Sequence, residues 1–360
     1  MNETACLTSL RTEEKMERNY GIDILRAISM LMVCILHVLL HGGILNKVTF
    51  QTGQYNVAWF LEILCYAAVN CYALISGFVG VRAKFKLSNL AYLWIQVAFC
   101  NGIIALGFDL IQGTFSPKTL LEFFPVYMNR YWYFTAYFGL FFLMPILNAA
   151  IHSVNKRTFK ICLLCLFISF SVVGNYKDLF QLNSGYSLLW LAYLYLVGGY
   201  VFKYKPCAKI KTYWLILFAC GCILSVWLLK VWKNRDFFGY LSPAHVLFAI
   251  VLLELFSRVK VKTKGERIVV SFSASTSFGV YILHTQKNIW QYLIFEKYAG
   301  FNPFLLAFAV VGTALAIYLL CSALDYLRLL LFKLFHVKPL LQKIESKIIN
   351  KFQRGSHVSE

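Results

Sequence analysis

The sequence predicts an all-α integral membrane protein with about ten transmembrane helices. Of its 360 residues, 59% are hydrophobic and only 14% are charged, whereas soluble globular chains are typically about 45–50% apolar and about 25% charged. Phenylalanine and tyrosine are abundant, with 32 and 22 residues, as expected of apolar helices with aromatic belts at both membrane surfaces. Apolar runs follow one another along the chain and leave almost no room for a soluble domain.

Ten apolar segments are long enough, or nearly so, to cross a hydrocarbon layer of about 30 Å as helices. In chain order they cover residues 22–44, 57–80, 90–111, 131–151, 159–174, 187–203, 212–231, 241–257, 268–291 and 303–332. The first segment is too long for the apolar core of a signal peptide, and no small-residue cleavage site follows it. We therefore interpret it as the first transmembrane helix.

Polar and basic loops separate these segments and divide the chain into three parts. Residues 1–21 are predicted to form a cytoplasmic N-terminal tail, residues 22–335 the membrane domain, and residues 336–360 a cytoplasmic basic tail. Apolar and basic residues alternate over residues 340–352. This alternation fits either an amphipathic helix on the inner leaflet or a plain solvated tail.

The distribution of lysine and arginine predicts the orientation. The two tails and every second loop carry 25 of the 35 basic residues, the other loops carry nine, and Arg26 lies inside the first helix. Because cytoplasmic loops are enriched in lysine and arginine, both termini are predicted to be cytoplasmic, which requires an even number of helices. The net charge of +19 is thus explained by topology and by contacts to anionic lipid, and no nucleic-acid partner is expected.

Several kinds of site are not indicated by the sequence. Most of the eleven cysteines lie in apolar runs and are interpreted as small core residues, so no disulfide framework is predicted. No phosphate-binding loop, dinucleotide fingerprint or nucleophile-elbow motif is present. No dense cluster of metal-ligating residues occurs, and we expect no metal.

Two costly residues lie inside the first predicted helix, Arg26 and His37. Charged and titratable side chains are expensive within a membrane and usually have a function there. Eleven residues make about three helical turns, so the two side chains lie on nearly the same face, about 16 Å apart along the axis. A cation near one surface and an imidazole deep in the helix indicate a substrate that extends from one to the other.

The predicted orientation divides the other polar residues of the membrane domain into two layers. An outer layer contains His37, His41, Glu62, Asp109, His245 and His284. An inner layer is rich in cations, and its members are Asp23, Arg26, Glu254, Asp325 and Arg328, with Arg82, Lys84 and Lys86 just beyond the second helix.

Some of these residues have simpler interpretations. His41 and His245 taken singly are typical of hydrogen-bonded core histidines, and Lys84 and Lys86 fit topology signals equally well. Asp325 and Arg328 are three residues apart on one helix, as are Asp23 and Arg26, and each is predicted to form an ion pair.

Four short motifs occur in the order typical of one family. Residues 23–26 (Asp-Ile-Leu-Arg), followed by ten residues and His37, resemble the first-helix signature of the membrane acyltransferase 3 family. Residues 76–78 (Ser-Gly-Phe) with Arg82 resemble the end of its second helix and the basic loop that follows. Residues 130–134 resemble its aromatic segment, and residues 277–284 resemble its late helix with Tyr-x-x-His. The likeness extends over about residues 20–335. Relatives often have arginine where this chain has Lys84, so a point charge replaces a bidentate fork there.

The resemblance implies transfer of an acyl group from cytoplasmic acyl-CoA to a hydroxyl of a cell-surface or lipid-linked glycan. It implies acetyl-CoA as the usual donor, an O-acetyltransferase activity that modifies polysaccharide, and a multi-pass location in the cell membrane, which we expect to be a bacterial cytoplasmic membrane. The length of the Arg26–His37 spacing is of the order of the extended pantetheine arm of CoA.

Roles for individual residues follow from this comparison. His37 is expected to act as general base on the acceptor hydroxyl or as a transient acyl carrier. Glu62 and His284 would assist it, and the CoA phosphates would be held by Arg26, Arg82 and Lys84. The candidate acceptor-binding residues are His41, Trp132 and Tyr281.

Two other functions fit parts of the sequence. A transporter or flippase could use the histidine and carboxylate layer for proton coupling, although the chain has no internal repeat and its prolines lie mostly near helix ends. A membrane module serving a racemase or sensor partner is a third possibility. The sequence does not indicate the acceptor, the acyl chain or the oligomeric state.

Overall fold

The computed structural model describes residues 18–293 and 301–356, which are mostly helical and contain no β-strand. Most of the predicted N-terminal tail, residues 1–17, lies outside the described residues. The helices are α1 (Tyr20–His41), α2 (Ile44–Lys47), α3 (Gly53–Cys65), α4 (Ala68–Gly80), α5 (Leu87–Gln112), α6 (Trp132–Ser153), α7 (Lys156–Leu166), α8 (Leu188–Tyr204), α9 (Thr212–Lys233), α10 (Pro243–Ser257), α11 (Lys264–His284), α12 (Lys287–Leu293), α13 (Pro303–Leu334) and α14 (Val337–Ser356).

The all-α membrane class is confirmed by the length and composition of the helices. Six helical stretches in the described chain are long and apolar enough to cross a membrane, namely α1, the α3–α4 pair, α5, α6, α9 and α13. The other four predicted segments also fall on helices: α7, α8, α10 and α11. Two of these, α8 and α10, are apolar but short. The total of ten crossings and the cytoplasmic position of both termini therefore stay predictions.

Four of the predicted segments are interrupted. The first ends at His41, and the separate short helix α2 begins at Ile44. The second bends between α3 and α4, where Tyr66 and Ala67 keep right-handed helical φ angles with ψ of −19° and −7°. The fifth continues from α7 as a π-helix, Phe167–Val173. The ninth ends at His284, and a separate short helix, α12, follows. No proline or glycine lies at the bend between α3 and α4, so the apolar pattern alone cannot locate it.

Helix α1 lies at the centre of the bundle. It packs against α3, α4, α10, α11 and α13, and its buried residues occur all around its circumference. A helix that is surrounded on all sides is apolar all round, which explains why its sequence shows a continuous apolar run. The helix that carries Arg26 and His37 is thus held by several neighbours.

The inner-layer charges are mostly paired. Arg328 makes a bidentate ion pair with Asp325, with both N–O distances 2.8 Å and both residues buried. Arg26 is 2.8 Å from Asp23, so both predicted pairs are confirmed. Glu254, which has no obvious partner in the sequence, is paired with Arg258 at 2.9 Å. The basic tail forms α14, in which Glu345 accepts a 2.6 Å hydrogen bond from Ser88.

Close packing of α4 against α8 depends on glycine. A Cβ atom on Gly77 would lie 1.9 Å from the carbonyl oxygen of Tyr195, and one on Gly198 would lie 2.0 Å from that of Leu74. Membrane helices often use small residues in this way, because they let two backbones approach closely.

We therefore expect Gly198→Val to separate α4 from α8, because neither backbone oxygen can move away without shifting a whole helix. Overpacking of this kind costs about 1–3 kcal/mol or more. The expected result is a lower Tm in detergent and less monodisperse protein. Gly221→Val on α9 is the matched control, since a Cβ there meets nothing within 4 Å. Equal stability of the two variants would contradict the proposed packing constraint.

Candidate active site

Two histidines from different helices are in direct contact at the centre of the bundle. Nδ1 of His37, on α1, lies 2.8 Å from Nε2 of His284, at the end of α11. The other ring nitrogen of His284, Nδ1, lies 2.5 Å from the carbonyl oxygen of Val280 one turn earlier in the same helix. His284 is only 2% exposed. The sequence places these residues in one layer, and the structure brings them within hydrogen-bonding distance.

The tautomer of both rings follows from these contacts. A carbonyl oxygen can only accept, so the proton of neutral His284 is on Nδ1 and its Nε2 has a lone pair. That lone pair must accept the hydrogen bond between the rings, so Nδ1 of His37 carries the proton. Nε2 of His37 is then left with a free lone pair. An imidazole nitrogen in this state can act as a general base or as a nucleophile.

His37 faces a cavity of about 120 Å³, which we call the histidine cavity. Three residues singled out in the sequence also line it: Glu62 from α3, Trp132 from α6 and Tyr281 from α11. Glu62 is only 7% exposed, and its Oε2 has no hydrogen-bond partner among the described residues. The cavity therefore combines a basic nitrogen with an acceptor oxygen that a bound molecule could satisfy.

The two other outer-layer histidines lie away from this cavity. His41 is stacked on Trp290, with ring centroids 4.2 Å apart, and its ring is 5.6 Å from that of His37. It is not part of the cavity wall, so its role in acceptor binding stays a prediction. Nε2 of His245 donates to the carbonyl of Ile63 at 2.9 Å, as expected of a core histidine.

A second cavity of about 780 Å³ lies toward the N-terminal half of α1, and we call it the middle cavity. Its wall includes all three residues assigned to CoA in the sequence: Arg26, Arg82 and Lys84. It shares Tyr72, Tyr133 and Phe278 with the histidine cavity. These three residues, which we call the aromatic collar, form the boundary between the two spaces.

A third, larger space of about 1390 Å³ adjoins the middle cavity and shares Arg26 and Arg82 with it. Six cationic side chains line this basic groove, against two carboxylates. The cations are Arg18, Arg26, Arg82, Lys203, Lys205 and Arg258, and the carboxylates are Asp23 and Glu254. The groove thus has an excess of about four positive charges, which favours a polyanionic ligand.

The cations of the groove differ in how far they are already neutralised. Arg18 and Arg26 both bind Asp23, and Arg258 binds Glu254. Lys203 donates to the carbonyl oxygens of Ile151 and His152 at the end of α6.

Two groove cations have neither a carboxylate nor a carbonyl partner among the described residues: Arg82 and Lys205. The Arg82 guanidinium lies 4.7 Å from the ring centroid of Phe202, and Lys205 is exposed just beyond α8. An anion entering the groove would meet these two side chains with their charge uncompensated.

The groove and both cavities form one series along α1, from the charged end to His37. A family model described as an acyltransferase domain matches residues 19–323 of this chain. The chain belongs to the acyltransferase 3 family. No curated protein and no solved structure gave a match to it.

The acyltransferase 3 match covers every candidate site residue predicted from the sequence, from Arg26 to His284. It also covers the residues that form the collar and the free cations of the groove. Together with the six long apolar helices, the match identifies a membrane acyltransferase. It favours catalysis over the transporter and the partner module as the function of the histidine layer.

Several residues of this acyltransferase site are not evident from the sequence. Tyr66, Tyr186 and Tyr240 line the histidine cavity, and Tyr72 and Tyr133 belong to the collar. Among 22 tyrosines, the sequence gives no means of separating these from residues of the interfacial belts. Lys205 is counted in the sequence only as a topology signal, because its position in the groove depends on how α8 packs.

Proposed function

We propose that this protein transfers an acetyl group from cytoplasmic acetyl-CoA to a hydroxyl of a cell-surface or lipid-linked glycan, in the cell membrane. The single observation that carries the proposal is the series of spaces that leads from the basic groove through the middle cavity to Nε2 of His37. A donor with a polyanionic head and a long, thin, reactive arm fits such a series.

The charge of the groove matches that of the donor. The 3′-phosphate and the diphosphate of CoA together carry about four negative charges at neutral pH, since a phosphate monoester alone has about −1.5 to −2. The groove has an excess of about four positive charges from its side chains. Arg82 and Lys205 would bind phosphate oxygens, and Arg26 would do so while it remains paired with Asp23.

The arm of the donor would then extend through the middle cavity to His37. Arg26 and His37 are eleven residues apart on one straight helix, which corresponds to about 16 Å. The cavity between them is lined largely by apolar and aromatic side chains such as Val79, Phe141 and Met144. An uncharged pantetheine arm suits this lining, and its terminal thioester would reach the collar and the lone pair on His37.

Two chemical routes use this lone pair. In the first, Nε2 of His37 takes the proton of the acceptor hydroxyl while the oxygen attacks the thioester carbonyl. The tetrahedral intermediate then expels CoA thiolate, which receives that proton from His37. In the second, Nε2 itself attacks the thioester carbonyl and CoA thiolate leaves. The acceptor oxygen then attacks the acetyl group on Nε2, the bond to His37 breaks, and the hydroxyl proton passes to the CoA thiolate. Both routes require the hydrogen bond from His37 Nδ1 to His284.

The test of this function uses purified protein in nanodiscs, labelled acetyl-CoA and isolated cell-envelope glycan. We expect label to move from CoA to the glycan. With the same protein reconstituted into sealed vesicles, movement of substrate across the membrane without transfer of label would contradict the proposal and support the transporter. Mass spectrometry of the labelled glycan would then identify the acceptor sugar.

Charge reversal in the groove gives a second prediction. We expect Arg82→Glu to raise the Kd for CoA about 10- to 100-fold, because one charge-assisted hydrogen bond is worth about 1.5–3 kcal/mol, and to leave acetyl transfer at saturating donor less affected. Lys205→Glu should act in the same direction and should weaken the dependence of CoA affinity on salt.

The matched control for these variants is Lys233→Glu. Lys233 is an exposed lysine at the C-terminal end of α9 and does not line the groove. It changes the net charge by the same amount without altering the groove. An equal loss of CoA affinity in Lys233→Glu would show that overall charge, and not the groove, determines donor binding.

A further inference from the structure

The buried, unpartnered Oε2 atom of Glu62 is unexpected in a membrane protein. Buried polar groups are normally hydrogen-bonded, and an ionisable group in a membrane helix is costly. Glu62 is 7% exposed, lines the histidine cavity, and its Oε2 has no partner among the described residues. A side chain held in this state indicates a ligand that donates hydrogen bonds to it.

The histidine cavity that Glu62 lines also has an aromatic wall. The ring of Tyr66 lies 4.8 Å from that of Tyr240, which in turn lies 5.0 Å from that of Tyr186. Trp132 completes the wall, 4.5 Å from Tyr186. Side chains of this kind offer flat apolar faces together with polar hydroxyl and N–H groups. Such a wall suits the flat, weakly apolar face of a sugar ring.

The size and charge of the cavity restrict the ligand further. Its volume of about 120 Å³ corresponds to about ten water positions, at about 10–15 Å³ each, which is close to the number of heavy atoms in one hexose. No lysine or arginine lines it within the described part of the chain. An anionic sugar would therefore bury its carboxylate in this cavity without a cation to compensate the charge.

We propose that the histidine cavity is the acceptor subsite and that Glu62 selects a sugar whose edge presents neutral hydroxyl or amino donors, against an acidic sugar. This inference rests on the proposed function and adds to it the chemical class of the acceptor. Glu62 accepts hydrogen bonds from the sugar edge, the wall from Tyr66 to Trp132 packs on its face, and the hydroxyl to be acetylated is directed to Nε2 of His37.

The first test replaces Glu62 by leucine, which is apolar and similar in volume. If Glu62 binds the acceptor, Glu62→Leu removes that interaction, and we expect acetylation of the cell-envelope glycan to fall at least 10-fold while the Kd for CoA stays within two-fold. Because an unpartnered carboxyl destabilises the fold, the Tm of the variant should equal or exceed that of the wild type. Undiminished acetylation by Glu62→Leu would overturn the assignment. So would a variant in which both the Tm and the affinity for CoA are lowered.

The second test compares three probes with the same tail: octyl β-D-glucoside, octyl β-D-glucosaminide and octyl β-D-glucuronide. Binding is measured as the ligand-dependent rise in Tm of protein in nanodiscs. We expect the wild type to bind the glucoside and the glucosaminide at least 10-fold more tightly than the glucuronide, and Glu62→Leu to lose this ranking. Equal or tighter binding of the glucuronide, the same ranking in Glu62→Leu, or no binding of any probe contradicts the proposal.

These results separate the acceptor subsite from the proposed function itself. If wild-type protein transfers no label from acetyl-CoA, the proposed acetyltransferase function is rejected, whichever glycosides bind. If the wild type transfers label and Glu62→Leu transfers it equally well, the enzyme stands and only the acceptor subsite is rejected.

Discussion

Replacing His37 by alanine is expected to lower acetyl transfer about 10²–10⁴-fold, the range typical for loss of a general acid–base group. The variant removes the only free imidazole lone pair of the described histidine cavity, the Nε2 atom. Because the proposed site for the donor head is the basic groove, the Kd for CoA should change little. The measurement is the initial rate of label transfer at equal membrane abundance of the two proteins.

His336→Ala is the matched control, because His336 is an exposed histidine between α13 and α14. Its transfer rate should equal that of the wild type. Full activity of His37→Ala would remove His37 from the mechanism. With wild-type protein and no acceptor, label that becomes bound to the protein and is absent in His37→Ala indicates the acyl-carrier route, whereas no bound label indicates the general-base route.

Replacing His284 is expected to give the second-largest loss, through the orientation of His37. His284→Leu removes the acceptor for the proton on His37 Nδ1, so His37 can turn or adopt the other tautomer, and kcat should fall about 10²-fold or more. A triad aspartate that fixes a histidine tautomer has an effect as large as about 10⁴-fold on kcat. The KM for acetyl-CoA should stay nearly constant, since His284 does not line the groove.

His284→Gln distinguishes orientation from a purely structural role. The glutamine side chain can present a carbonyl oxygen to His37 Nδ1, so His284→Gln should retain more activity than His284→Leu. The two variants should have the same Tm. Equal activities of the glutamine and leucine variants would be inconsistent with the hydrogen bond between the rings as the reason for the loss.

The helices could be predicted from the sequence because each is a long apolar run, and all ten predicted segments fall on helices. The bend at Tyr66 and the π-helix after Leu166 could not, because neither contains a proline or a glycine that would mark it in the sequence. The count of membrane crossings depends on short or more polar helices such as α10 and α11, whose composition does not decide it.

The sequence predicts the level of the site residues along the helix axes, but not which helices are neighbours. Counting residues along a helix places His37, Glu62 and His284 at one level, because the rise per residue is constant. It cannot show which helices are neighbours, so the contact between His37 and His284 and the separation of His245 emerge only from the fold. Lys205 was missed for the same reason.

The aromatic collar also bears on the electrical insulation of the membrane. Moving one elementary charge across 100 mV requires about 2.3 kcal/mol, so carrying the phosphates of CoA across would demand considerable work. Tyr72, Tyr133 and Phe278 present rings and no ionised group at the boundary. In the proposed reaction an acetyl group moves outward past this point while the proton of the acceptor hydroxyl moves inward to the CoA thiolate. This exchange carries no net charge, so a polarised membrane neither drives nor opposes the transfer.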